Sequence, residues 1–323
     1  MPSAPRSSNA VASAVLAAHA GRFGATSPPP DAGSGDPSPD GDPDPVHAGV
    51  MAACRALGFI ASDAACLADA WRAQTRRTGG FDASAWPATP ADFGMREQPV
   101  AARAGAFAPC PAELGLYAVL PDADWVGRMA RAGVPTVQLR FKSSDAGAIE
   151  REVRAAIDAV RGTGSTLFVN DHWEAAIEAG AHGVHLGQED LDALAPADLR
   201  RIREAGLRLG VSTHGYAEMV RADAVGPSYV ALGAVFPTTL KAMATAPQGL
   251  ARLGDYARLM RGYPCVAIGG IDAARRPAVL ATGVGSVAVV RALVAADDPE
   301  ATARTWTAAV EAGLRRRRDE TAA

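Results

Sequence analysis

The chain has 323 residues, of which 48% are hydrophobic, and its formal net charge is −3 at neutral pH. This length allows one large domain or two ordinary ones, and the small net charge gives no indication of nucleic acid or an anionic membrane as a partner. No apolar stretch reaches the roughly 18 residues of a membrane-spanning helix, and the four cysteines form no C-x-x-C pair, which is typical of a reduced, cytoplasmic protein.

The first 48 residues are predicted to be a disordered, low-complexity segment. Between Pro28 and Pro45, 18 residues contain seven prolines and five aspartates and no large apolar side chain. Such a segment cannot bury enough surface to offset the conformational entropy that ordering removes. A single short helix over residues 11–23 is the one ordered element that we expect before it.

A small helical appendage followed by a connector is predicted for residues 49–112. Ser62 or Asp63 is placed to cap a helix, because apolar residues recur after them at positions i, i+3, i+4 and i+7, from Ala64 to Trp71. The stretch after this helix is rich in proline, glycine and alanine, and we expect it to be irregular. We do not expect the appendage to have a complete core of its own.

Residues 113–323 alternate short apolar runs with helical stretches. The apolar runs begin near Leu116, Val134, Thr166, Gly183, Leu207, Tyr229, Cys265 and Ser286. Strands that are separated by helices pair in parallel, and eight such units in about 205 residues predict an α/β fold, a short (β/α)8 TIM barrel. A doubly wound sheet built from the same elements is the alternative, because periodicity alone does not exclude it.

In barrels of this kind the working residues lie at the carboxyl ends of the strands. The second run ends with Gln138, Arg140 and Lys142, which alternate with apolar residues and are therefore expected on one face. A polar donor beside two cations suits a polyphosphate, since arginine offers a planar pair of donors and lysine a mobile charge. An exposed strand end with ordinary ion pairs is the competing interpretation.

Carboxylates follow the next two strands. The third run ends at Asn170 and Asp171, and the fourth continues to Asp190. Two carboxylates completed by water and phosphate oxygens suit Mg²⁺, whereas no cysteine and histidine spacing suits zinc. Asp190 could instead cap a helix and Asp171 could belong to a turn. Beside the cationic second strand, however, we predict that the two carboxylates bind magnesium.

Hydroxyls and one cation follow the fifth and sixth strands. The fifth run ends with Ser212, which could donate to a phosphate oxygen, and His214, for which a general base and a helix-capping role are equally open. The sixth run leads to Thr238 and, three residues later, to Lys241. No serine, histidine and acid stand out in the order of a nucleophilic triad.

The last two strands end in turns that expose the backbone. Gly269 and Gly270 follow the seventh run, and Val290 follows the eighth, just before Arg291. Such barrels often bind a phosphate monoester at this place. One mouth would then hold a diphosphate with a metal on one side and a monophosphate on the other, which suggests a transferase.

The motifs QLRFK, ND, HLGQED, VSTH, FPTTLK and IGGI, in this order, resemble those of the thiamine phosphate synthase family over about residues 114–315. The resemblance implies a Mg²⁺-dependent transferase that joins hydroxymethylpyrimidine diphosphate to hydroxyethylthiazole phosphate and releases pyrophosphate. The pyrimidine would lose its diphosphate to leave a cation, which the thiazole nitrogen captures. The partners would be these small molecules, and the sequence leaves open whether the chain forms a homo-oligomer.

By position, the resemblance assigns residues to three roles. The catalytic residues would be Arg140, Lys142, Ser212 and Lys241. The substrate-binding residues would be Gln138, Arg140, Lys142, Asn170, Ser212, Thr238, Lys241, Gly269, Gly270 and Val290. Asp171 and Asp190 would bind the metal. Leu240 stands where the family usually has a threonine, and Arg291 stands where it often has a serine, so these changes affect the thiazole phosphate side.

Two alternatives share the fold. A barrel of the thiazole tautomerase type needs the phosphate end but no diphosphate site, and the pair of Asp171 and Asp190 argues against it. A catalytically inactive barrel that only binds thiazole phosphate or thiamine phosphate is the second alternative, and Leu240 and Arg291 are its best support. Dependence on magnesium would separate the tautomerase type from a synthase.

Overall fold

A closed barrel of eight parallel strands forms the C-terminal part of the protein. The computed structural model describes residues 7–23, 44–96, 103–238 and 246–322. The strands are β1 (Gly115–Leu120), β2 (Thr136–Leu139), β3 (Thr166–Asn170), β4 (Gly183–Leu186), β5 (Arg208–Thr213), β6 (Tyr229–Leu232), β7 (Cys265–Ile268) and β8 (Ser286–Val289). Each strand pairs in parallel with its neighbours in chain order, and β8 closes on β1. The (β/α)8 prediction is confirmed, and the doubly wound alternative is wrong.

Helices connect the strands and cover the outside of the barrel. They are α4 (Ala123–Arg131), α5 (Ala146–Val160), α6 (Trp173–Ala179), α7 (Gln188–Ala193), α8 (Pro196–Glu204), α9 (Tyr216–Val225), α10 (Gly249–Leu259), α11 (Arg276–Ala281), α12 (Arg291–Val294) and α13 (Pro299–Ala322). Aspartates begin two of them, because the carboxylate of Asp122 accepts from the amide of Trp125, and that of Asp145 from the amide of Ala148.

The second strand is shorter than the sequence predicts. It ends at Leu139, whose partner Leu120 is the last residue of β1. Arg140 still donates its amide to the Leu120 carbonyl, at 2.7 Å, but it lies after the strand, as does Lys142. The expectation that both cations belong to the strand is wrong, and their common face with Gln138 stays a prediction.

The interior of the barrel is filled by side chains. Its buried apolar residues are Leu114, Tyr117, Val119, Phe168, Tyr229, Ala231, Val266 and Ala288. Phe168 and Tyr229 pack edge to face with ring centroids 5.1 Å apart. Gly210 makes room for this packing, since a Cβ there would lie 2.1 Å from the Tyr229 ring. Because the interior is packed, a ligand can enter only at an end of the barrel.

Within the described residues, three α-helices precede the barrel. They are α1 (Ser8–Phe23), α2 (Pro45–Ala56) and α3 (Ala61–Thr78), and a short 3-10 helix follows at Pro90–Phe93. The first helix lies inside the segment 1–48 and begins three residues before the helix predicted there. Most of the proline-rich stretch lies outside the described residues. The division of the chain at residues 48 and 112 stays a prediction.

The appendage comprises the described residues 7–23 and 44–96, with α1 to α3 and the 3-10 helix, and it packs on α9 and α10 of the barrel. Its buried residues Val11, Leu67 and Trp71 belong to the same continuous apolar cluster as Tyr216 of α9 and Tyr256 of α10. One hydrophobic core therefore extends from the appendage into the layer between the strands and helices of the barrel.

The helix α3 is not capped as the sequence predicts. It begins at Ala61, and its N-cap Ile60 makes no side-chain cap hydrogen bond, so Asp63 lies within the first turn of the helix. The expectation that Ser62 or Asp63 caps this helix is wrong. The carboxylate of Asp63 is instead directed at the barrel, where it accepts a hydrogen bond from the backbone amide of Ala217, at 2.9 Å.

All four cysteines are free thiols. Cys265, in β7, is buried, and burial raises the pKa of its thiol to about 12. It therefore packs as a small apolar residue, as the sequence indicates. Across the four described ranges, no helix is both long enough and apolar enough to cross a membrane.

Candidate functional site

Polar residues at the carboxyl ends of β2 and β3 meet inside the mouth of the barrel. The side-chain amide of Gln138 donates from Nε2 to Oδ1 of Asn170, at 2.9 Å, and both residues are buried. Parallel neighbours bring such strand ends together, as the sequence predicts. The pair presents one fixed amide edge to any ligand that enters the mouth.

Asp171 follows β3 directly and is held in an unusual backbone conformation. Its φ is +64°, in the left-handed region that few residues other than glycine occupy. The amide of Asp171 donates to the carbonyl of His185 in β4, at 3.0 Å, which fixes this turn against the next strand. A turn of this kind, retained at the mouth of a barrel, is typical of a functional site.

The carboxylate of Asp171 contacts a cation and a second carboxyl group. Lys142 forms an ion pair with it from the loop after β2, and the carboxyl group of Asp190 is hydrogen-bonded to it from α7. Three residues from three consecutive strand ends therefore share one small volume. Neither the lysine nor the aspartates are fully buried, so a ligand can reach them.

The two carboxyl groups differ in their affinity for protons. Burial raises the pKa of Asp190, and the neighbouring charge of Asp171 raises it further, although the amide of Gly187 acts in the opposite direction. Burial would also raise the pKa of Asp171, but the hydrogen bond and charge of Lys142 outweigh it and hold that pKa below its ordinary value. The pair therefore holds a proton on Asp190 more readily than on Asp171.

Asp190 has a structural contact as well. Its Oδ2 accepts from the amide of Gly187, at 2.8 Å, in the first turn of α7. The two interpretations offered for this residue, a helix cap and a ligand-binding carboxylate, are thus compatible, because a carboxylate has lone pairs for more than one partner.

A chain of hydrogen bonds runs from the interior of the barrel to the mouth. Oη of Tyr117 and Oη of Tyr229 are 2.6 Å apart, and Oη of Tyr229 is 2.7 Å from Nδ1 of His185. Nε2 of His185 is 2.8 Å from Oγ of Ser212, near the end of β5. The Ser212 hydroxyl is therefore oriented by a buried polar chain that spans β1, β6, β4 and β5.

The sequence alone predicts no role for His185 or for the two tyrosines. A signal was present, because His185 stands within the strand motif HLGQED, where an apolar residue would otherwise be expected. Its partners are not visible in the sequence, since Tyr117 and Tyr229 come from strands that only closure of the barrel brings near it.

His214 is occupied by a local contact. Its backbone amide donates to Oε2 of Glu218, at 2.8 Å, and Nδ1 of its ring is 2.7 Å from the same oxygen. The His214 ring contacts the Glu218 carboxylate rather than a backbone amide of α9, so both roles left open for this residue stay predictions.

Glycines form the turn after β7 on the opposite side of the mouth. Gly269 and Gly270 have φ values of +105° and +64°. A Cβ on Gly269 would lie 2.6 Å from the Cβ of Ala234, and one on Gly270 would lie 2.7 Å from the carbonyl oxygen of Pro237. The backbone of β7 is thus in close contact with the loop after β6, and only glycine fits there.

Some of the remaining predicted residues lie within the described ranges, and others lie outside them. Arg140 is exposed after β2, Val290 directly precedes α12, and Thr238 ends the described part of the loop after β6. Lys241 and Leu240 lie outside the described residues. Arg291 is exposed at the first position of α12.

The donors of this mouth suit a magnesium ion that a phosphate helps to bind. Among the described residues no three histidine, cysteine, aspartate or glutamate side chains form a cluster that could hold a metal on their own. Asp171 and Asp190 nevertheless lie close enough to share a proton, and two such carboxylates can share a divalent cation. Mg²⁺ is commonly held by one or two carboxylates together with substrate phosphates and water.

Comparison with known proteins places the barrel in a family. Residues 116–293 match the family model described as thiamine monophosphate synthase. A thiamine-phosphate synthase of Neisseria meningitidis serogroup B is 55% identical over 202 residues, which are 62% of this chain and 97% of that protein. One from Cronobacter sakazakii is 53% identical over 192 residues, which are 59% of this chain and 90% of that protein.

A solved structure agrees with these relatives. Thiamine phosphate pyrophosphorylase from Pyrococcus furiosus superposes with a TM-score of 0.56 at 28% sequence identity, covering 62% of this chain and 97% of that one. The family match accounts for more than half of the chain and falls entirely within the barrel. The chain therefore belongs to the thiamine-phosphate synthase family and is a transferase of thiamine biosynthesis.

Proposed function

We propose that the mouth of the barrel has two halves, one for the diphosphate of the pyrimidine substrate and one for the phosphate of the thiazole substrate. The diphosphate half comprises Gln138, Arg140, Lys142, Asn170, Asp171, Asp190, Ser212 and Lys241. The observation that carries this proposal is the contact of Lys142 and Asp190 with the single carboxylate of Asp171. A cation and a carboxylate pair within one volume suit a metal–diphosphate complex better than a plain phosphate monoester.

Asp171 and Asp190 would hold Mg²⁺, together with oxygens of the diphosphate. When bound, the ion would neutralise part of the negative charge that gathers on the leaving diphosphate. The ion pair between Lys142 and Asp171 supports this assignment, because it keeps the Asp171 carboxylate ionised and therefore ready to coordinate a cation.

The protein would act mainly by positioning and by electrostatics. The bond between the pyrimidine methylene carbon and the diphosphate oxygen breaks, and its electron pair leaves with the diphosphate. Arg140, Lys142 and Lys241 would stabilise that charge, and the hydroxyl of Ser212 would donate to a phosphate oxygen. The thiazole nitrogen then forms a bond to the same carbon with its lone pair. No proton is removed from either reacting atom, so this step needs no general base.

The monophosphate half would be built largely from backbone groups. Gly269, Gly270 and Val290 follow β7 and β8, and Thr238 reaches the same side from the loop after β6. The positive φ values of the two glycines support this role, because they turn the backbone at the place where barrels of this class bind phosphates. The exposed guanidinium of Arg291 would add a charge that compensates for hydroxyls absent from this half.

The protein would work in the cytoplasm on small molecules. Its four free cysteines support a reducing compartment. Neither nucleic acid nor a membrane is expected to take part, and the formation of a homo-oligomer stays open.

A comparison of Asp190→Ala with Asp192→Ala tests the carboxylate pair. Both residues are on α7, but Asp192 forms an ion pair with Arg221 on the outside. We expect Asp190→Ala to lower kcat by roughly a hundredfold and to raise the Mg²⁺ concentration needed for half-maximal rate, because one metal ligand is lost. The assay mixes the two phosphorylated precursors over a range of Mg²⁺ and measures thiamine phosphate and pyrophosphate.

Asp192→Ala should match the parent protein in this assay. If Asp190→Ala has the parent's Mg²⁺ dependence and rate, the metal assignment is wrong. A parent protein that releases no pyrophosphate at any Mg²⁺ concentration would instead support the tautomerase-type or the inactive barrel.

A further inference from the structure

The first turn of α9 depends on a side chain from the appendage. An α-helix leaves the first four amides of its chain without backbone partners inside the helix. The N-cap of α9 is Gly215, which has no side chain to offer. The carboxylate of Asp63 fills this role from α3, because it accepts from the amides of Ala217 and Tyr216.

The fit between Asp63 and the start of α9 is close. Only 4% of Asp63 is exposed to solvent. A Cβ on Gly215 would lie 1.9 Å from Oδ2 of Asp63, so the carboxylate occupies the space that any other residue at position 215 would need. The negative charge also lies at the positive end of the helix dipole, which is the favourable arrangement.

Other appendage residues hold the same turn of α9. The phenol of Tyr216 accepts a hydrogen bond from Nε1 of Trp86, at 2.8 Å. The ring of Phe93 stacks on that of Tyr216, with the centroids 5.3 Å apart and the planes within 9°. The first residue of α9 is therefore held by the appendage through its backbone, its hydroxyl and its ring.

Two further contacts join the appendage to α10. Arg252 donates to the carbonyl of Leu57, at 2.9 Å, and Arg22 binds both oxygens of Asp255 at 2.8 Å. The helices α9 and α10 are the helices that follow β5 and β6 in the chain. The appendage thus contacts both of them.

From these contacts we infer that Asp63 is a positioning residue for the synthase reaction. It acts through the amides of Tyr216 and Ala217 to hold the end of β5, and with it the hydroxyl of Ser212, against the diphosphate. Ser212 lies three residues before Gly215, and little free chain separates the two. Asp63 lies in the appendage, outside the stretch that matches the family. The inference rests on the proposed contact between Ser212 and the diphosphate.

The test is the steady-state kinetics of Asp63→Ala with each precursor varied in turn. We expect the KM for the pyrimidine diphosphate to rise roughly three- to tenfold, in line with the loss of a helix cap, while the KM for the thiazole phosphate stays within about twofold. Asp63→Asn should restore most of the affinity, because its amide oxygen can accept the same backbone hydrogen bonds. Asp69→Ala, an exposed acidic residue of the same helix, should match the parent protein.

A second variant covers the case in which Asp63→Ala does not fold. Gly215→Ala displaces the carboxylate from the barrel side without changing the appendage, and we expect the same selective rise in KM. If either folded variant only lowers the melting temperature and leaves both KM values unchanged, Asp63 is a structural residue and the inference is wrong.

Ser212→Ala separates this inference from the proposed function. If Ser212→Ala does not raise the KM for the pyrimidine diphosphate, the proposed contact of Ser212 is wrong. If it does raise that KM and Asp63→Ala does not, only the role of Asp63 is wrong. When both are right, Asp63→Ala should have little further effect in the Ser212→Ala background, because the two residues act through one hydroxyl group.

Discussion

The hydroxyl of Ser212 can donate a hydrogen bond to a bound anion only if its proton points into the mouth. Burial raises the pKa values of Tyr117 and Tyr229, so both phenols stay protonated. Each phenol has one proton, and the chain therefore has two possible directions. In one, Tyr117 donates to Tyr229, Tyr229 donates to Nδ1 of His185, and Nε2 of His185 donates to Ser212. In the other, Ser212 donates inward and turns its lone pairs towards the ligand.

A phosphate bound at Ser212, as proposed, would select the first direction, because only that direction leaves the Ser212 proton for the ligand. The deep tyrosines would then contribute to substrate binding, although neither is at the mouth. His185 would transmit the effect, with Nδ1 accepting and Nε2 donating.

The variant Tyr229→Phe tests this chain of donors. It removes the hydroxyl that is bonded to both Tyr117 and Nδ1 of His185, and the loss of these buried hydrogen bonds costs about 1–3 kcal/mol. We expect the KM for the pyrimidine diphosphate to rise several-fold to roughly tenfold, because the imidazole then favours the tautomer that takes the Ser212 proton. Steady-state kinetics and a melting curve on the same sample measure both effects.

Tyr263→Phe is the matched control for that variant. Its hydroxyl is also buried and bonded, to Asp223 and Arg103, but it lies away from the mouth. It should lower the melting temperature with no change in KM. Equal KM values for Tyr229→Phe and the parent protein would contradict a role for the tyrosines in binding.

At the scale of single elements, the glycine turn after β7 is set by contact with the loop after β6. The amide of Phe236 donates to the carbonyl of Gly269, at 3.0 Å, and Arg275 donates to the carbonyl of Gly270, at 2.7 Å. The guanidinium of Arg275 also lies over the Phe236 ring, 4.7 Å from its centroid. The two loops thus form one unit, and a change in one of them moves the other.

Gly269→Ala should therefore harm both stability and one substrate site. The added Cβ would meet Ala234 at 2.6 Å, and the φ of +105° is strained for alanine. We expect a loss of about 1–3 kcal/mol in the free energy of unfolding and a higher KM for the thiazole phosphate. Chemical denaturation and kinetics with each precursor measure the two effects.

The same substitution at Gly254 is the control for the glycine turn. This residue lies within α10 and has no atom within 4 Å of an added Cβ. Gly254→Ala should stabilise the helix by about 0.5–1 kcal/mol and leave both KM values unchanged. A Gly269→Ala protein whose thiazole phosphate KM equals that of Gly254→Ala would count against the monophosphate site.

Elements whose pattern lies within a short stretch of sequence were predictable, and elements completed by distant residues were not. Apolar runs place all eight strands because each strand is buried in the barrel. The start of α9 has no such local pattern. Its N-cap is a glycine, and the carboxylate that completes it stands 154 residues earlier in the chain. No window of neighbouring residues contains that partner.

The same distinction holds for the candidate site. Gln138, Asn170, Asp171 and Asp190 were predictable as neighbours, since parallel pairing brings consecutive strand ends together. The chain from Tyr117 to Ser212 joins strands that are not consecutive, so it appears only when the barrel closes. The sequence extends β2 through Arg140 and Lys142, whereas the strand ends at Leu139, together with its pairing to β1.

At the scale of the whole molecule, the buried side chains of the appendage and the barrel form one continuous apolar cluster. Charged contacts reinforce it, because Arg22 of α1 binds Asp255 of α10, and that carboxylate is almost fully buried. A buried carboxylate that loses its cation is strongly destabilising. We therefore expect the appendage and the barrel to behave as one folding unit.

The chain should therefore unfold in a single transition that mutations in either part displace. Leu67 in α3 and Val153 in α5 are both fully buried, one in the appendage and one in the barrel. Leu67→Ala should lower the free energy of unfolding by about 2–5 kcal/mol, and Val153→Ala should lower it by somewhat less.

Calorimetry, compared with circular dichroism and with tryptophan fluorescence, should give one coincident midpoint for each variant. Fluorescence is informative because two of the five tryptophans, Trp71 and Trp86, lie in the appendage and the other three in the barrel. An appendage that opened first would therefore give a separate, partial fluorescence transition. If Leu67→Ala produces an early fluorescence transition while the barrel melts at the parent temperature, the appendage is a separate unit. Such a result would also weaken the role inferred for Asp63, because a part that opens on its own cannot hold the end of β5 in place.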